Sequence, residues 1–357
     1  MANSIEYAKK FVPIIDGIYK AAAVTQGMDA ATKADFTGVN EVKVLKVSTT
    51  GLGDYSRENG YPKGDVTAAW ETMTLTEERG KEISVDRMDD EETLGLTFGT
   101  VTGEFMRLHV IPELDAYRFA KYASQDGISK ATPAVLTKDT VIAAIDEAVR
   151  QMNEDEVPLE GRKLYINSDL QPILNNALNR QWGSDGTVNT VLSGYNNMPI
   201  TWVPPTRFYT ELTLNPGTTN WGYGRTTDFQ EFTGDGSTTE FTITDKPVAD
   251  AIAKVTVDGT VTTSYTYAAS TGKITFTAAP ANGKKAVVTY YTAANINFMI
   301  IYPPAILQVQ KFALPKIFSP DVNQDKDAWK FQFRLYHDAF VYENKVKGLY
   351  LHKKPTA

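Results

Sequence analysis

Three histidines, no cysteine and a scatter of carboxylates are what this 357-residue chain offers to acid–base or metal chemistry. His109, His337 and His352 fall in separate stretches, and none stands at the H-E-x-x-H spacing that lets two imidazoles share a zinc ion. Without cysteine there is no disulfide, thiolate zinc site or iron–sulfur cluster. Gly51-Leu-Gly53 and Gly234-Asp-Gly236 begin like dinucleotide loops, but Ser56 and Thr239 stand where the third glycine belongs, so both read as turns. There is no Walker loop and no G-x-S-x-G elbow. The acids Asp86, Asp89, Asp90, Glu91 and Glu92 could attract a cation, but their spacing is not that of an EF-hand. They fit better as a solvated helix start, where the dipole favours negative charge. Asn153-Glu-Asp-Glu156 reads as a polar loop. Tyr265, Tyr267, Tyr290 and Tyr291 could stack on sugars, although aromatics in a threonine-rich sandwich more often form its core. No catalytic, cofactor-binding or metal-binding residue is assigned, and an enzyme is the least expected reading.

The remaining composition is that of a folded, water-facing chain. Apolar residues make up 42% and charged residues 22%, and the length suits two or three compact units. No apolar run approaches the roughly 18 residues of a membrane span. The start, MANSIEYAKKFVP, lacks a secretory layout. A net charge of −7 shows no basic patch that would grip phosphates, so if the chain surrounds DNA it contains it without reading it.

The elements that would carry any function come in a definite order. Residues 1–45 mix charges with short alanine runs and read as an extended arm. Glu41–Val47 alternates apolar and charged residues, Ser48–Asp65 is rich in turn formers, and Ala69–Thr76 alternates again; Lys81–Val85 follows. These describe a long hairpin, placed at 46–86, with a glycine-rich tip. Such a hairpin is barely stable alone and needs a surface to lie on. Leu94, Phe98, Val101, Phe105 and Leu108 draw one apolar stripe, which predicts a helix through 87–125 of roughly 50 Å, bent at Pro112.

Residues 126–225 read as mixed α/β. A helix opens at Thr137–Thr140 and carries Val141, Ile142, Ile145, Val149 and Met152. Arg162–Asn167 is a strand, Ser168 caps a helix over Asp169–Leu178, and Met198–Val203 is the next strand. Residues 226–292 then change character: 17 threonines, no Leu, Met, Trp or Arg, and short β-rich runs, Thr239–Ile243, Ala253–Val257, Ser264–Tyr267, Lys273–Thr277 and Ala286–Tyr291, between turn signals. That predicts a small all-β module inserted in a surface loop. Host chain resumes at 293–328 with the strand Asn297–Tyr302. In 329–357, Trp329, Phe331, Phe333 and Leu335 alternate with polar residues, and Phe340–Tyr342 and Gly348–His352 are read as continuing that sheet.

This order of parts resembles the major capsid proteins of tailed phages, whose fold is shared with herpesvirus shells. The nearest local likeness is Trp329-Lys-Phe-Gln-Phe-Arg-Leu-Tyr-His-Asp-Ala-Phe-Val-Tyr-Glu-Asn-Lys345 followed by Gly348-Leu-Tyr-Leu. The resemblance implies an α+β phage major capsid fold: N-arm, extended β-hairpin loop, long spine helix, peripheral β-sheet and central α/β domain, here with an inserted small all-β domain. It implies pentamers and hexamers of this chain in the icosahedral head of a virion, made in the bacterial host cytoplasm and enclosing double-stranded DNA, with no membrane. Because the chain starts almost at the arm, a separate scaffolding protein is the expected partner, with a portal. Some members cross-link a hairpin lysine to an asparagine beside a buried glutamate; Lys63, Asn344 and Glu343 are conceivable counterparts. Tyr61, Pro62, Lys63, Trp70 and Met73 are the expected inter-subunit contacts. A glycan-binding protein acting through 226–292, and a nanocompartment shell of the same fold, are the alternatives.

Overall fold

The computed structural model describes residues 23–25, 28, 41–58, 60–92, 97–177, 193–218 and 220–356. Most of the expected arm, together with Leu94 and Leu178, lies outside the described residues. The chain packs as two units, one drawing on Gln26–Met106 and Pro303–Lys345, the other on Ala22–Thr25, Arg107–Tyr302 and Val346–Ala357.

In the first unit the hairpin pairs Glu41–Thr49 with Val66–Thr74, antiparallel from Glu41↔Thr74 to Thr49↔Val66. Its first strand therefore begins before residue 46. The following strand, Glu77–Asp86, is not part of the hairpin. It joins a second antiparallel sheet in the order Ile306–Phe318, Ala328–Val341, Glu77–Asp86. Ile306–Phe318 went unread because Pro315 interrupts its pattern; on an edge strand a proline breaks no ladder. Phe331, Phe333 and Leu335 point inward as the alternation predicts. Phe105 meets Phe331 and Phe333 edge-on, with centroids 6.1 and 6.4 Å away.

Where the long helix is expected, the described residues are helical with a change of winding along the way. Helices span Arg87–Glu92, where Asp86 accepts the Met88 N–H at 2.9 Å, and Thr97–Phe105. A π-helical stretch, Met106–Val110, comes before the helix Ile111–Ser124, which carries Pro112 in its first turn. The wide turn shifts the register, so Leu108 of the expected stripe is exposed while Met106, Val110 and Ile111 are buried.

The second unit is built on a six-stranded sheet in the order Ser129–Lys130, Leu349–Lys353, Ile296–Ile301, Lys163–Asn167, Met198–Val203, Gly194–Tyr195. All six residues of Ile296–Ile301 are buried, as a central strand covered on both faces requires. Val141, Ile145, Ala148 and Met152 of the helix Val141–Glu154 join Leu164, Ile166, Phe298 and Ile300 in one core. On the opposite face Phe119 packs against Tyr165 and Phe208, at 5.4 and 4.8 Å. The cap near residue 168 is Asn167, whose side chain accepts the Asp169 N–H at 3.0 Å. Leu349–Lys353 belongs to this sheet, so the chain does not continue the Ala328–Val341 sheet to its end as the sequence suggested. The units divide at Tyr302/Pro303 and Lys345/Val346, not at 328/329.

The threonine-rich segment forms two antiparallel sheets. One runs Thr227–Thr233, Lys285–Tyr291, Ile252–Val257, Thr260–Val261; the other Glu240–Thr242, Lys273–Phe276, Tyr265–Ala268. Between them Ile243, Val255, Ile274, Phe276, Ala286, Val288 and Tyr290 form a separate core. Asp258 and Gly259 both take positive φ, 50° and 78°, the backbone a two-residue hairpin turn demands.

His352, 4% exposed, stacks on Phe298 and places Nδ1 3.0 Å from the Asn297 side-chain amide. Burial pushes its pKa below the ordinary 6.5. The folded state thus favours the neutral ring. Its contribution to stability is complete above pH 6.5 and is lost as pH falls from 6.5 through the lowered value. Thermal midpoints measured between pH 7.5 and 5 should fall, and His352→Gln should remove part of that pH dependence.

Candidate assembly surface

Among the described residues the hairpin is anchored at its base. At its base Val42, Met73 and Leu75 pack with Leu307, Val309, Tyr336 and Tyr342. Asp338, 1% exposed, accepts both the N–H and the hydroxyl of Thr76 at 3.0 Å, and the Tyr336 hydroxyl donates to the Leu75 carbonyl at 3.1 Å. Lys46 reaches Glu343 at 2.7 Å. Burial raises the Glu71 carboxyl above its ordinary value, although a hydrogen bond from the Glu343 backbone opposes this.

Pairing register sorts the ribbon into two faces. Directly opposed residues share a face, and residues two apart along a strand do too. Val42/Met73, Val44/Glu71 and Lys46/Ala69 therefore look toward the anchoring core. Trp70, Val47/Ala68 and Thr49/Val66 lie on the other face. There Trp70 is 64% exposed, and Val47 and Val66 are exposed as well. Beyond them the tip is a folded knob. Ser56 and Gly60 exchange backbone hydrogen bonds of 3.2 and 2.7 Å, Thr50 and Asp65 close its neck, and the rings of Tyr55 and Tyr61 lie 5.0 Å apart. Gly60 takes φ +77°, where a side chain would strain the turn. Six of the 14 exposed large apolar residues fall between Val47 and Trp70, which makes this the densest uncovered apolar stretch described.

Of the expected contacts, Tyr61 (86% exposed), Pro62 and Lys63 sit on the tip and Trp70 on the outer face. Met73 is corrected: at 6% exposure it is part of the anchoring core, because its register opposite Val42 turns it inward. The sequence reading missed Val47, Leu52, Tyr55 and Val66. Strand parity could have found Val47 and Val66 once the register was known.

The cross-linking expectation needs a desolvated glutamate. Glu343 has 63% of its side chain exposed and is paired with Lys46, so no such base is formed by this chain alone. Among the described residues no group of three or more His, Cys, Asp or Glu is placed to hold a metal. An open groove of about 590 Å³ lies over Gly80, walled by Glu78, Glu82, Lys316, Gln332 and Arg334; its charges pair across the sheet and converge on no point. Of the tyrosines considered for sugar stacking, Tyr265, Tyr267 and Tyr290 serve the small β core, and Tyr291 meets an arginine. Tyr290 is 4% exposed and donates to Asp245 at 2.6 Å, Tyr267 donates to the Pro247 carbonyl, and Tyr291 lies 4.2 Å from the Arg225 guanidinium.

The whole fold has known counterparts. A chain of Gordonia phage Cozz aligns at a TM-score of 0.52 and 9% identity, over 94% of this chain and 87% of that one. A chain from the capsid structure of the cyanophage P-SCSP1u aligns at 0.50 and 10% identity, over 91% and 86%. No protein-family model and no curated protein matches the sequence. At such identities the likeness is one of fold, and the fold is that of tailed-phage capsid proteins.

Anchoring core and outer face should respond differently to truncation. Met73→Ala should cost about 2–5 kcal/mol in denaturant unfolding, whereas Trp70→Ser should stay within about 0.5 kcal/mol of the parent.

Proposed function

Taking the phage capsid fold as premise, we propose that this chain is a structural shell subunit that self-assembles into the icosahedral head of a tailed phage and encloses its double-stranded DNA. The observation that carries the reading is the hairpin: fixed at its base by Asp338 and a small core, amphipathic along its length, and left uncovered on its outer face by the described residues. A two-stranded ribbon is marginal in water, and another copy of the chain supplies the missing cover. Covering on the order of 300 Å² of apolar surface contributes about 7 kcal/mol before ordering costs. Repeated around five- and six-membered rings, contacts of that size close a shell without any one being strong. The net charge of −7 suits a wall that contains DNA without gripping it. A scaffolding protein and a portal are proposed partners in assembly, and the virion is the proposed location.

In this reading the threonine-rich module is an insertion that decorates the shell exterior. It has its own core, and its ends meet: the Thr292 N–H donates to the Thr226 carbonyl at 3.1 Å, and Arg225 Nε to the Ala293 carbonyl at 2.6 Å.

Electron microscopy of purified protein should show closed polyhedral particles. Trp70→Ser combined with Val66→Ser should leave dispersed, folded subunits; particles forming as readily as in the parent would remove the hairpin from the assembly reading. Replacing 227–291 by two glycines should leave a soluble, assembling protein. A chain that cannot fold without them would show that the segment is not an insertion.

A further inference from the structure

The threonine-rich module joins the second unit through two adjoining strands. At this neck the Arg225 guanidinium lies 4.2 Å from the Tyr291 ring and 5.9 Å from the Tyr209 ring. A neck of two strands and one stacked cation lets a module rock, and relative motion is the ordinary expectation for a compact unit so connected. A further contact opposes it. It comes from the residues that end and follow the host strand Leu349–Lys353. The Lys353 carbonyl accepts the Ala134 N–H at 3.2 Å, and the Lys354 N–H donates to the Asn295 carbonyl at 2.8 Å. Lys354 Nζ lies 3.8 Å from Asp169 Oδ2. These bonds fix the segment to the host. Pro355 then narrows the backbone to one φ and offers no N–H. Finally the Thr356 carbonyl accepts the N–H of Val248, a module residue, at 2.9 Å. Lys353, Lys354, Pro355 and Thr356 are all partly buried.

Val248 is well placed to take that hold. It lies on the link between the module's two sheets, after the strand Glu240–Thr242 and before Ile252–Val257. The link is itself tied to both sheets. On one side the Tyr267 hydroxyl donates to the Pro247 carbonyl at 2.6 Å. On the other the Ala251 N–H donates to the Val248 carbonyl at 2.8 Å, and Ala251, next to Ile252, is 1% exposed. Force on Val248 is therefore passed to the whole sandwich.

We propose that residues 353–356 are a strap that fixes the orientation of the threonine-rich module on the second unit. The neck carries the module and the strap stops it rocking. The hold is backbone to backbone, so it depends on the path of the segment and not on the Thr356 side chain. A module held this way presents the same surface in every copy of the chain. The inference stands whether or not that surface faces the outside of a shell.

Val248 has φ −64°, the value a proline ring imposes, so Val248→Pro deletes the N–H and keeps the backbone path. Removing 355–357 deletes the acceptor instead. The chain has no cysteine, so spin labels on Thr260→Cys in the module and Ala143→Cys on the helix Val141–Glu154 are unique. Double electron–electron resonance, with labelled chain in excess unlabelled protein, reads the spread of distances between them. That spread should be about two-fold wider than in the parent for Val248→Pro and for the shortened chain. Val248→Ala keeps the N–H and should show the parental spread. Hydrogen exchange at Val255 and Val288, in the module core, should stay at parental rates throughout. A parental spread in both loosened chains overturns the strap. Equal broadening in Val248→Ala overturns it too, because the side chain would then be the hold. Should Val248→Pro unfold the module, the shortened chain decides alone.

Discussion

A two-stranded ribbon has two faces and one neighbour. Everything in the first unit answers that constraint. The inward face is covered by the chain itself through Val42, Met73 and the side chains they meet. Among the described residues nothing covers the outward face, with Val47, Val66 and Trp70. The sheet below absorbs the consequences. Alternation in Ala328–Val341 is regular through Leu335 and then stops: Tyr336, His337, Asp338 and Ala339 are all buried in succession. The register shift between Gln310 and Phe312 falls opposite this stretch, where the strand acquires cover on both faces.

Buried acids hold main chain in both units. Asp338 receives the Thr76 N–H where the ribbon turns into the sheet, and Asp115 receives the N–H groups of Val24 and Thr25. In each case a carboxylate with almost no solvent contact is satisfied chiefly by backbone and hydroxyl donors, so a segment is fixed by direction as well as by burial. Arg162 plays the mirrored part. Its guanidinium, buried among the carbonyls of Val157 and Pro158, gathers the acceptors that follow the helix Val141–Glu154. Burial lowers its pKa, as expected of a cation held by dipoles alone.

What could be read from sequence was what periodicity encodes. Met198–Val203 was read with the bounds the structure gives it, and the runs of the threonine-rich segment fall within a residue or so of its strands, because turn chemistry at Asp258-Gly259 punctuates them. Thr227–Thr233 was missed because Asp228, Gln230 and Glu231 hide a strand that carries an exposed phenylalanine at 229. The π-turn at Met106–Val110 was illegible: its one extra residue leaves composition unchanged but rotates Leu108 outward. Sheet membership was equally hidden. Ala328–Val341 and Leu349–Lys353 are both apolar and close in sequence, and only long-range pairing, to Glu77–Asp86 in one case and Ile296–Ile301 in the other, separates them. The candidate surface shares that difficulty. Trp70 and Met73 look alike in sequence, and three residues of strand put them on opposite faces.

An uncovered apolar ribbon invites disordered aggregation, and the surrounding residues limit it. The apolar face is narrow, bounded by Lys43 and Thr72 toward the base and by a knotted tip bearing Asp54, Arg57, Glu58, Lys63 and Asp65. Pro62 and the closed Ser56–Gly60 turn keep that tip from extending into a further strand. The long edge strand Ile306–Phe318 carries Pro315, which blocks a continuous ladder with another chain. Between whole subunits the net charge of −7 sets a repulsion that only close, apolar, shape-matched contact overcomes. On the proposed assembly reading, association is weak unless the ribbon is seated correctly, and therefore reversible when it is not. That reversibility is the condition under which identical copies can correct misplaced contacts while a closed assembly grows.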